Sequence, residues 1–232
     1  MRTPRVLDLF CGAGGAAMGY AWAGFEVIGV DSELQPHYPF PFVQADALDF
    51  PLDGFDVVHA SPPCQHYSCT QRLWKREHPD LVPAVRDKLQ AWGGFWIIEN
   101  VPGAPMQHGV ILCGTMFNLK VFRHRYFESS VLLFAPGPCR HRGHVKRWGH
   151  KTGAYISVVG HDFRHDEASQ AMGIDWMNNQ ELSQAIPPIY TAWLGQQLIE
   201  LQERSESVGD QHGTGANCGD SNTHGVGWWS VE

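Results

Sequence analysis

Ala60-Ser61-Pro62-Pro63-Cys64-Gln65-His66-Tyr67-Ser68 follows Phe55-Asp56-Val57-Val58-His59, an apolar-rich run that reads as a buried strand. Two consecutive prolines must end that strand, because proline lacks the N–H that a ladder needs. Cys64 is therefore expected in a loop at a strand's C-terminal end. In open α/β sheets that edge is where ligands bind. Cysteine is also a common small apolar filler of cores, so its neighbours along the chain must decide between packing and chemistry.

Working toward the N-terminus, Arg5-Val6-Leu7-Asp8-Leu9-Phe10 predicts a first buried strand. It runs into Cys11-Gly12-Ala13-Gly14-Gly15-Ala16-Ala17-Met18-Gly19, and small residues continue as a helix to Ala23, with Gly24 as its stop. Strand, glycine loop and helix make a nucleotide-type turn, in which glycine lets a ligand approach the backbone. The same loop would also serve as a plain tight connection. A second strand, Phe25 to Val30, ends in Asp31, placed to accept from ribose hydroxyls. Nothing resembles a P-loop, and adenosine without pyrophosphate fits the loop at least as well as a dinucleotide. Phe42-Val43-Gln44 predicts a short third strand, followed by Asp46, which suits an adenine amino group or an ordinary loop.

Beyond Cys64, residues 69–79 are polar and basic around Trp74, a composition suited to nucleic acid. Leu81 to Trp92 has helical spacing and stops at Gly93-Gly94. Phe95-Trp96-Ile97-Ile98 predicts a buried strand that delivers Glu99 to the same edge as Cys64. An acid directly after an apolar run is either functional or badly tolerated. In Phe122-Arg123-His124-Arg125-Tyr126-Phe127-Glu128, strand alternation predicts Arg123 and Arg125 on one face, suited to an anion or a carbonyl-rich base edge. The bland alternative is a pair of edge-strand charges. The alternation of strands and helices predicts an α/β fold with a mostly parallel sheet and helices on both faces.

The chain has 232 residues, 43 % of them apolar, which suits one domain with a sizeable core. No apolar run is long enough for a membrane helix, and no signal peptide is read at the N-terminus. Cys11, Cys64, Cys69, Cys113, Cys139 and Cys218 are scattered, as expected of reduced thiols in the cytoplasm. Net charge is −7, but unevenly spread. Residues 1–60 hold 2 Lys/Arg against 8 Asp/Glu, residues 61–150 hold 12 against 5, and residues 151–232 hold 3 against 11. The basic middle is the footprint that a phosphate backbone requires, unless it is only a solvated surface.

Asp8-Leu9-Phe10-Cys11-Gly12-Ala13-Gly14-Gly15, Pro63-Cys64-Gln65, Glu99-Asn100-Val101, Arg123-His124-Arg125 and Ala185-Ile186-Pro187-Pro188 stand in the order of the motifs of cytosine-C5 DNA methyltransferases. Over residues 5–200 the chain resembles the compact phage and prophage members of that family. The resemblance implies a Rossmann-like S-adenosylmethionine-dependent methyltransferase fold and a cytosine flipped from duplex DNA. It makes Cys64 the nucleophile, Glu99 the group that protonates N3, and Arg125 with Arg123 the holders of pyrimidine O2 and phosphate. For the cofactor it implies Phe10 against the adenine, Asp31 on the ribose and Asp46 at the amino group. Gly12 and Gly14 leave room for the methionine moiety, Gln184 meets its amino-acid end, and Cys11, Gly15, Ala47 and Pro63 complete the set.

The chain departs from the family pattern in three places. Val121 stands where the family has a glutamine, and Ser183-Gln184 where it has Gly-Asn. Only about 55 residues separate the arginine and proline motifs, so the target-recognition region is reduced to a short basic loop, 136–153. A separate specificity partner is one consequence; a tRNA cytosine-C5 methyltransferase, or a non-catalytic DNA-binding relative, are alternative readings. Cys139, His141, His144 and His150 invite zinc, but their spacing matches none of the common patterns, and a DNA-contacting loop without metal is expected. The catalytic domain is predicted over 1–203, with a disordered tail over 204–232.

Overall fold

The computed structural model describes residues 2–64, 67, 79–146, 153–160 and 163–212, with backbone alone at 146 and 206–212. The chain divides into two units, Met1–Ile199 and Glu200–Glu232. In the first, strands β1 (Arg5–Leu9), β2 (Glu26–Asp31), β3 (Phe42–Gln44), β4 (Val57–Ala60), β5 (Phe95–Asn100), β6 (Gly109–Leu112) and β7 (Arg125–Ser129) form one sheet. Its order is β3-β2-β1-β4-β5-β7-β6. The first five strands run parallel, and β7 lies antiparallel to both β5 and β6. The fold is therefore the mostly parallel α/β sheet expected from the sequence. The strand order reverses between β1 and β4, the switch point at which such sheets bind ligands.

Alternation gives the two sheet faces different chemistry. Leu7, Leu9, Val58, Ala60, Trp96 and Ile98 pack with Val85 and Leu89 of helix α2 (Val82–Trp92) into an apolar core. The opposite face carries Asp8, His59 and Ile97 side by side in register, with Glu99 beyond them. It is covered by α1 (Gly15–Ala23), whose Tyr20 bonds His59, and by the part of the long helix α5 (Pro188–His212) that lies in the first unit, whose Tyr190 packs on Phe127. α1 and α5 meet closely: a Cβ on Gly19 would run into the Pro188 carbonyl and the Thr191 hydroxyl. Thr191 Oγ1 instead donates to the Ala16 carbonyl at 2.8 Å, sealing the face where polar groups are buried.

Between β7 and α5 lie short strands β8 (Val145–Lys146) and β9 (Tyr155–Ile156), and helices α3 (His165–Met172) and α4 (Asn179–Gln184). α4 opens with a capping box, Asn178 and Glu181 each bonding the other's backbone N–H. Val121, Val158, Ala168, Met172 and Leu182 form a smaller core that reaches Ala13 of the glycine loop. Two expectations change here. Arg123 precedes β7, with φ of 39°, so strand alternation is not what places it beside Arg125. Residues 204–212, assigned to the tail, are helical within α5. The run Glu200-Leu201-Gln202-Glu203-Arg204 consists of strong helix formers, and Arg204 pairs with Glu200 one turn back. Residues 213–232 lie outside the described part.

Arg86 of α2 and Glu128 of β7 form a buried bidentate pair, Nε–Oε1 at 2.6 Å and Nη2–Oε2 at 2.8 Å. Glu128 raises the pKa of Arg86 further, so the guanidinium stays charged. Removing one partner strands the other's charge. Arg86→Met is expected to lower unfolding free energy by about 3–5 kcal/mol in urea melts. A loss under about 1 kcal/mol would mean water solvates the pair.

Candidate active site

The C-terminal ends of β1, β2, β4 and β5 carry Phe10, Asp31, Cys64 and Glu99 of the residues picked from the sequence. Cys64 follows β4 through Ser61-Pro62-Pro63, and Ser61 N–H still extends the ladder to the Leu9 carbonyl at 3.1 Å. Asn100, at the end of β5, donates from Nδ2 to the Pro62 carbonyl at 2.9 Å and accepts from Val101 N–H at 2.9 Å. One amide thus ties the cysteine loop to the strand that carries Glu99. Gln65, His66 and residues 68–78 lie outside the described part.

Glu99 is buried, and Arg125 Nε stands 2.8 Å from its Oε1. The contact is an ion pair without hydrogen-bond alignment, so Oε1 has no hydrogen-bond partner among the described residues. Burial raises the pKa of Glu99, outweighing Arg125, a Ser61 hydrogen bond and Arg123, which favour the carboxylate. Burial likewise pushes the Cys64 thiol up; Arg125 and Arg123 oppose that and Glu99 reinforces it. Cys64, Glu99 and Arg125 therefore form one electrostatic cluster. Arg123 has a different station. Its guanidinium donates to the Val158 carbonyl at 2.6 Å and the Ser183 carbonyl at 2.7 Å. It is fully enclosed, and burial lowers its pKa to about 9. It braces the smaller core against the site while contributing positive potential to it.

On the glycine-loop side, Asp31 Oδ2 accepts from Gly12 N–H and Oδ1 from Glu33 N–H, both at 3.0 Å. Gly12 has φ of 48° and nothing within 4 Å of where a Cβ would stand, so its backbone faces open space. Phe10, at the end of β1, holds φ of 56°, a strained conformation of the kind that clusters at ligand sites. Asp46 Oδ1 accepts from Leu48 N–H at 2.8 Å. Cys11 and Ala47 are buried and Pro63 is exposed. Gly14 does not leave room for a ligand: a Cβ there would meet Pro39 and Tyr38 at 2.9–3.0 Å. A Cβ on Gly15 would stand 2.7 Å from the Ile186 carbonyl, so the loop packs against the segment after Gln184, a residue that is itself exposed.

Two buried polar residues escaped the sequence reading because each sits inside an apolar run. His59 bonds Tyr20 Oη through Nδ1 and Ser61 Oγ through Nε2, both at 2.9 Å. Burial depresses its pKa to about 3, so the ring is neutral. Asp8 is wholly enclosed, with no hydrogen-bond partner for either oxygen among the described residues. The rule that singled out Glu99, an acid against an apolar run, would have found Asp8 as well.

No protein-family model matches the chain, and no curated protein matches it by sequence. In three dimensions it is similar to a protein assigned as a DNA modification methyltransferase encoded within an E. coli prophage. The TM-score is 0.61 at 15 % identity, covering 87 % of this chain and 100 % of that one. It is similar also to Entamoeba histolytica methyltransferase EhMeth (TM-score 0.57, 12 % identity, 87 % and 99 % covered) and S. pombe Dnmt2 methyltransferase (0.55, 14 %, 87 % and 99 %). The fold is that of the Rossmann-like methyltransferases.

Asp8 yields a pH prediction. Burial, with Asp31 and Glu99 nearby, raises its pKa well above 3.8. A carboxyl raised on folding stabilises fully below its unfolded pKa and loses that contribution as pH rises toward the folded one. Relative to Asp8→Asn, the wild type should therefore lose about 1.4 kcal/mol per pH unit above pH 4 until the folded pKa is passed. Urea melts of both proteins from pH 4 to 8 measure it; parallel curves would show that the carboxyl is solvated.

Proposed function

We propose that this chain is a DNA cytosine-C5 methyltransferase that works through a covalent adduct of Cys64. The observation that carries the reading is the shared cluster of Cys64, a buried Glu99 of raised pKa and Arg125 at the switch-point edge of a methyltransferase fold. Cytosine C5 is a poor nucleophile until a thiolate adds to C6. Cys64 gives up its thiol proton to solvent and its Sγ bonds C6 while Glu99 passes its proton to N3, leaving an enamine whose C5 takes the methyl group. Arg125 holds O2 and faces the carboxylate that Glu99 becomes. Loss of the C5 proton to solvent then lets the S–C6 bond break, N3 returns its proton to Glu99, and Cys64 leaves as a thiolate that solvent reprotonates.

The loop residues fit an adenosyl ligand. Gly12 offers an open cradle, Asp31 is held by two backbone N–H groups with lone pairs to spare for ribose, and Phe10 and Asp46 flank them. S-adenosylmethionine, when bound there, supplies the electrophilic methyl group. Arg123, tied to two carbonyls, acts by potential and bracing while Arg125 does the holding. Exposed Arg140 and Arg142 serve DNA phosphates; the side chains of Lys146 and Arg147 lie outside the described residues. A loop this short favours limited specificity or a separate specificity partner, in the cytoplasm of a bacterium or of a phage-infected host where restriction-modification operates.

Transfer of tritiated methyl to duplex DNA and to tRNA, measured in parallel, tests the reading. Cys64→Ala should abolish transfer while leaving DNA binding, and Glu99→Gln should slow it about 10²–10⁴-fold, the usual worth of general acid assistance. A duplex carrying 5-fluorocytosine should trap the protein covalently through Cys64. Full activity in Cys64→Ala would end the mechanism. Transfer to tRNA alone would keep the mechanism and make this a tRNA cytosine-C5 methyltransferase.

A further inference from the structure

Two cysteines and two histidines from three separate stretches of the chain meet on the side of the sheet formed by β6 and β7. Cys113 follows β6 and begins the short 3-10 turn Gly114–Phe117. His124 directly precedes β7, and Cys139 and His141 come from the basic loop. One ligand atom from each lies within 4.8 Å of all the others. Cys113 Sγ and His141 Nε2 are already 3.4 Å apart, and the rings of His124 and His141 meet edge to face at 4.9 Å. A tetrahedral ion with bonds of about 2.0–2.3 Å needs its ligand atoms roughly 3.3–3.8 Å from one another, so the cluster is a small contraction from coordination. The sequence alone pointed to Cys139 with His141, His144 and His150. The fold instead supplies Cys113 and His124, while His144 stands outside the group and His150 lies outside the described residues.

We infer that Cys113, His124, Cys139 and His141 form a structural zinc site that staples the basic loop to the catalytic sheet. Two thiolates and two imidazoles in tetrahedral reach select zinc among biological divalent ions. Binding releases the two thiol protons to solvent and forms two Zn–S and two Zn–N bonds, with no change of oxidation state. The surroundings support fixed ligands. His141 stacks on Phe122 at 4.2 Å, Thr115 Oγ1 lies 3.2 Å from Cys113 Sγ, and the same Thr115 oxygen accepts from Arg140 N–H at 3.0 Å. The loop also needs such a staple: Pro138 to His144 is exposed throughout and sends nothing into either core. Segments without enough apolar surface commonly hold their shape through metals. Because His124 adjoins Arg125, the ion would fix the loop's arginines in register with the proposed active site.

Metal analysis of the full chain purified under reducing conditions with zinc present tests this without reference to methyl transfer. One zinc per chain is expected, falling to near zero in Cys139→Ser and in His141→Ala. Both change exposed residues, so they keep the test open if Cys113→Ser fails to fold. Cobalt exchanged into the wild type should show the visible bands of a tetrahedral site with thiolate charge transfer, absent from both variants. A chelator should lower the wild-type melting temperature and leave the variants unmoved. A metal-free wild type, a Cys113–Cys139 disulfide in its place, or zinc retained by both variants would overturn the site. Zinc bound at full stoichiometry by a chain that transfers no methyl group would leave the site standing and remove only the proposed reaction.

Discussion

Glu99 must be held at the end of a buried strand, and most of the first unit is arranged around that requirement. An ionised carboxyl group there costs several kcal/mol unless it is matched. The protein meets the cost from two directions. Arg125, entering on the antiparallel strand β7, stands 2.8 Å away, and burial raises the acid's pKa so that the neutral form is available. Neither works without a sealed face. The seal is the contact of α1 with α5, tight enough that Gly19 admits no side chain and Gly195 abuts Tyr20 and Ala23. A rotation of α5 that admitted water would return Glu99 to an ordinary surface acid.

Behind Glu99 the same face carries a chain of hydrogen bonds running Tyr20, His59, Ser61. A neutral histidine donates through one nitrogen and accepts through the other. The tyrosine hydroxyl is always able to donate to Nδ1, which leaves Nε2–H to donate to Ser61 Oγ. The serine proton is then free for Glu99, whose carboxylate form Ser61 favours. The direction of every bond follows from Ser61 donating to Glu99 together with an uncharged His59, which burial maintains. Ser61 thereby becomes a donor of fixed orientation beside an acid that the proposed reaction requires to change protonation state. The arrangement is one of preorganisation, with dipoles set before charge appears.

How much of this was legible depended on distance along the chain. Strands that end in a marked residue were visible from local pattern alone: Leu9 before the glycine loop, Ala60 before Pro62-Pro63, Ile98 before Glu99. The short β6 (Gly109–Leu112) was missed, because a four-residue strand carries little pattern. Helix α4 was missed although its capping box, Asn178 to Glu181, is a local signal. Arg123 was expected on one strand face with Arg125, whereas a positive φ and two carbonyl bonds hold it ahead of the strand. The Cys113 and His124 partners of the loop cysteine were invisible, because only the β6–β7 pairing, Leu112 opposite Arg125, brings their strand ends together. His59 and Asp8 were hidden by the opposite error, a polar residue read as part of an apolar run.

The last step concerns timing in the proposed chemistry. At rest, burial keeps Cys64 a thiol, which protects it from oxidation. The two arginines pull toward thiolate against that shift. When Glu99 gives its proton to N3, it becomes a carboxylate facing a guanidinium already within 2.8 Å. Arg125 thus opposes the resting protonation of Glu99 and stabilises the state that follows proton transfer. A residue that disfavours the ground state and favours the charge formed during reaction lowers the barrier between them. Replacing it with a neutral side chain would leave a more firmly protonated acid and a slower reaction, even though the acid itself would be better settled in its pocket.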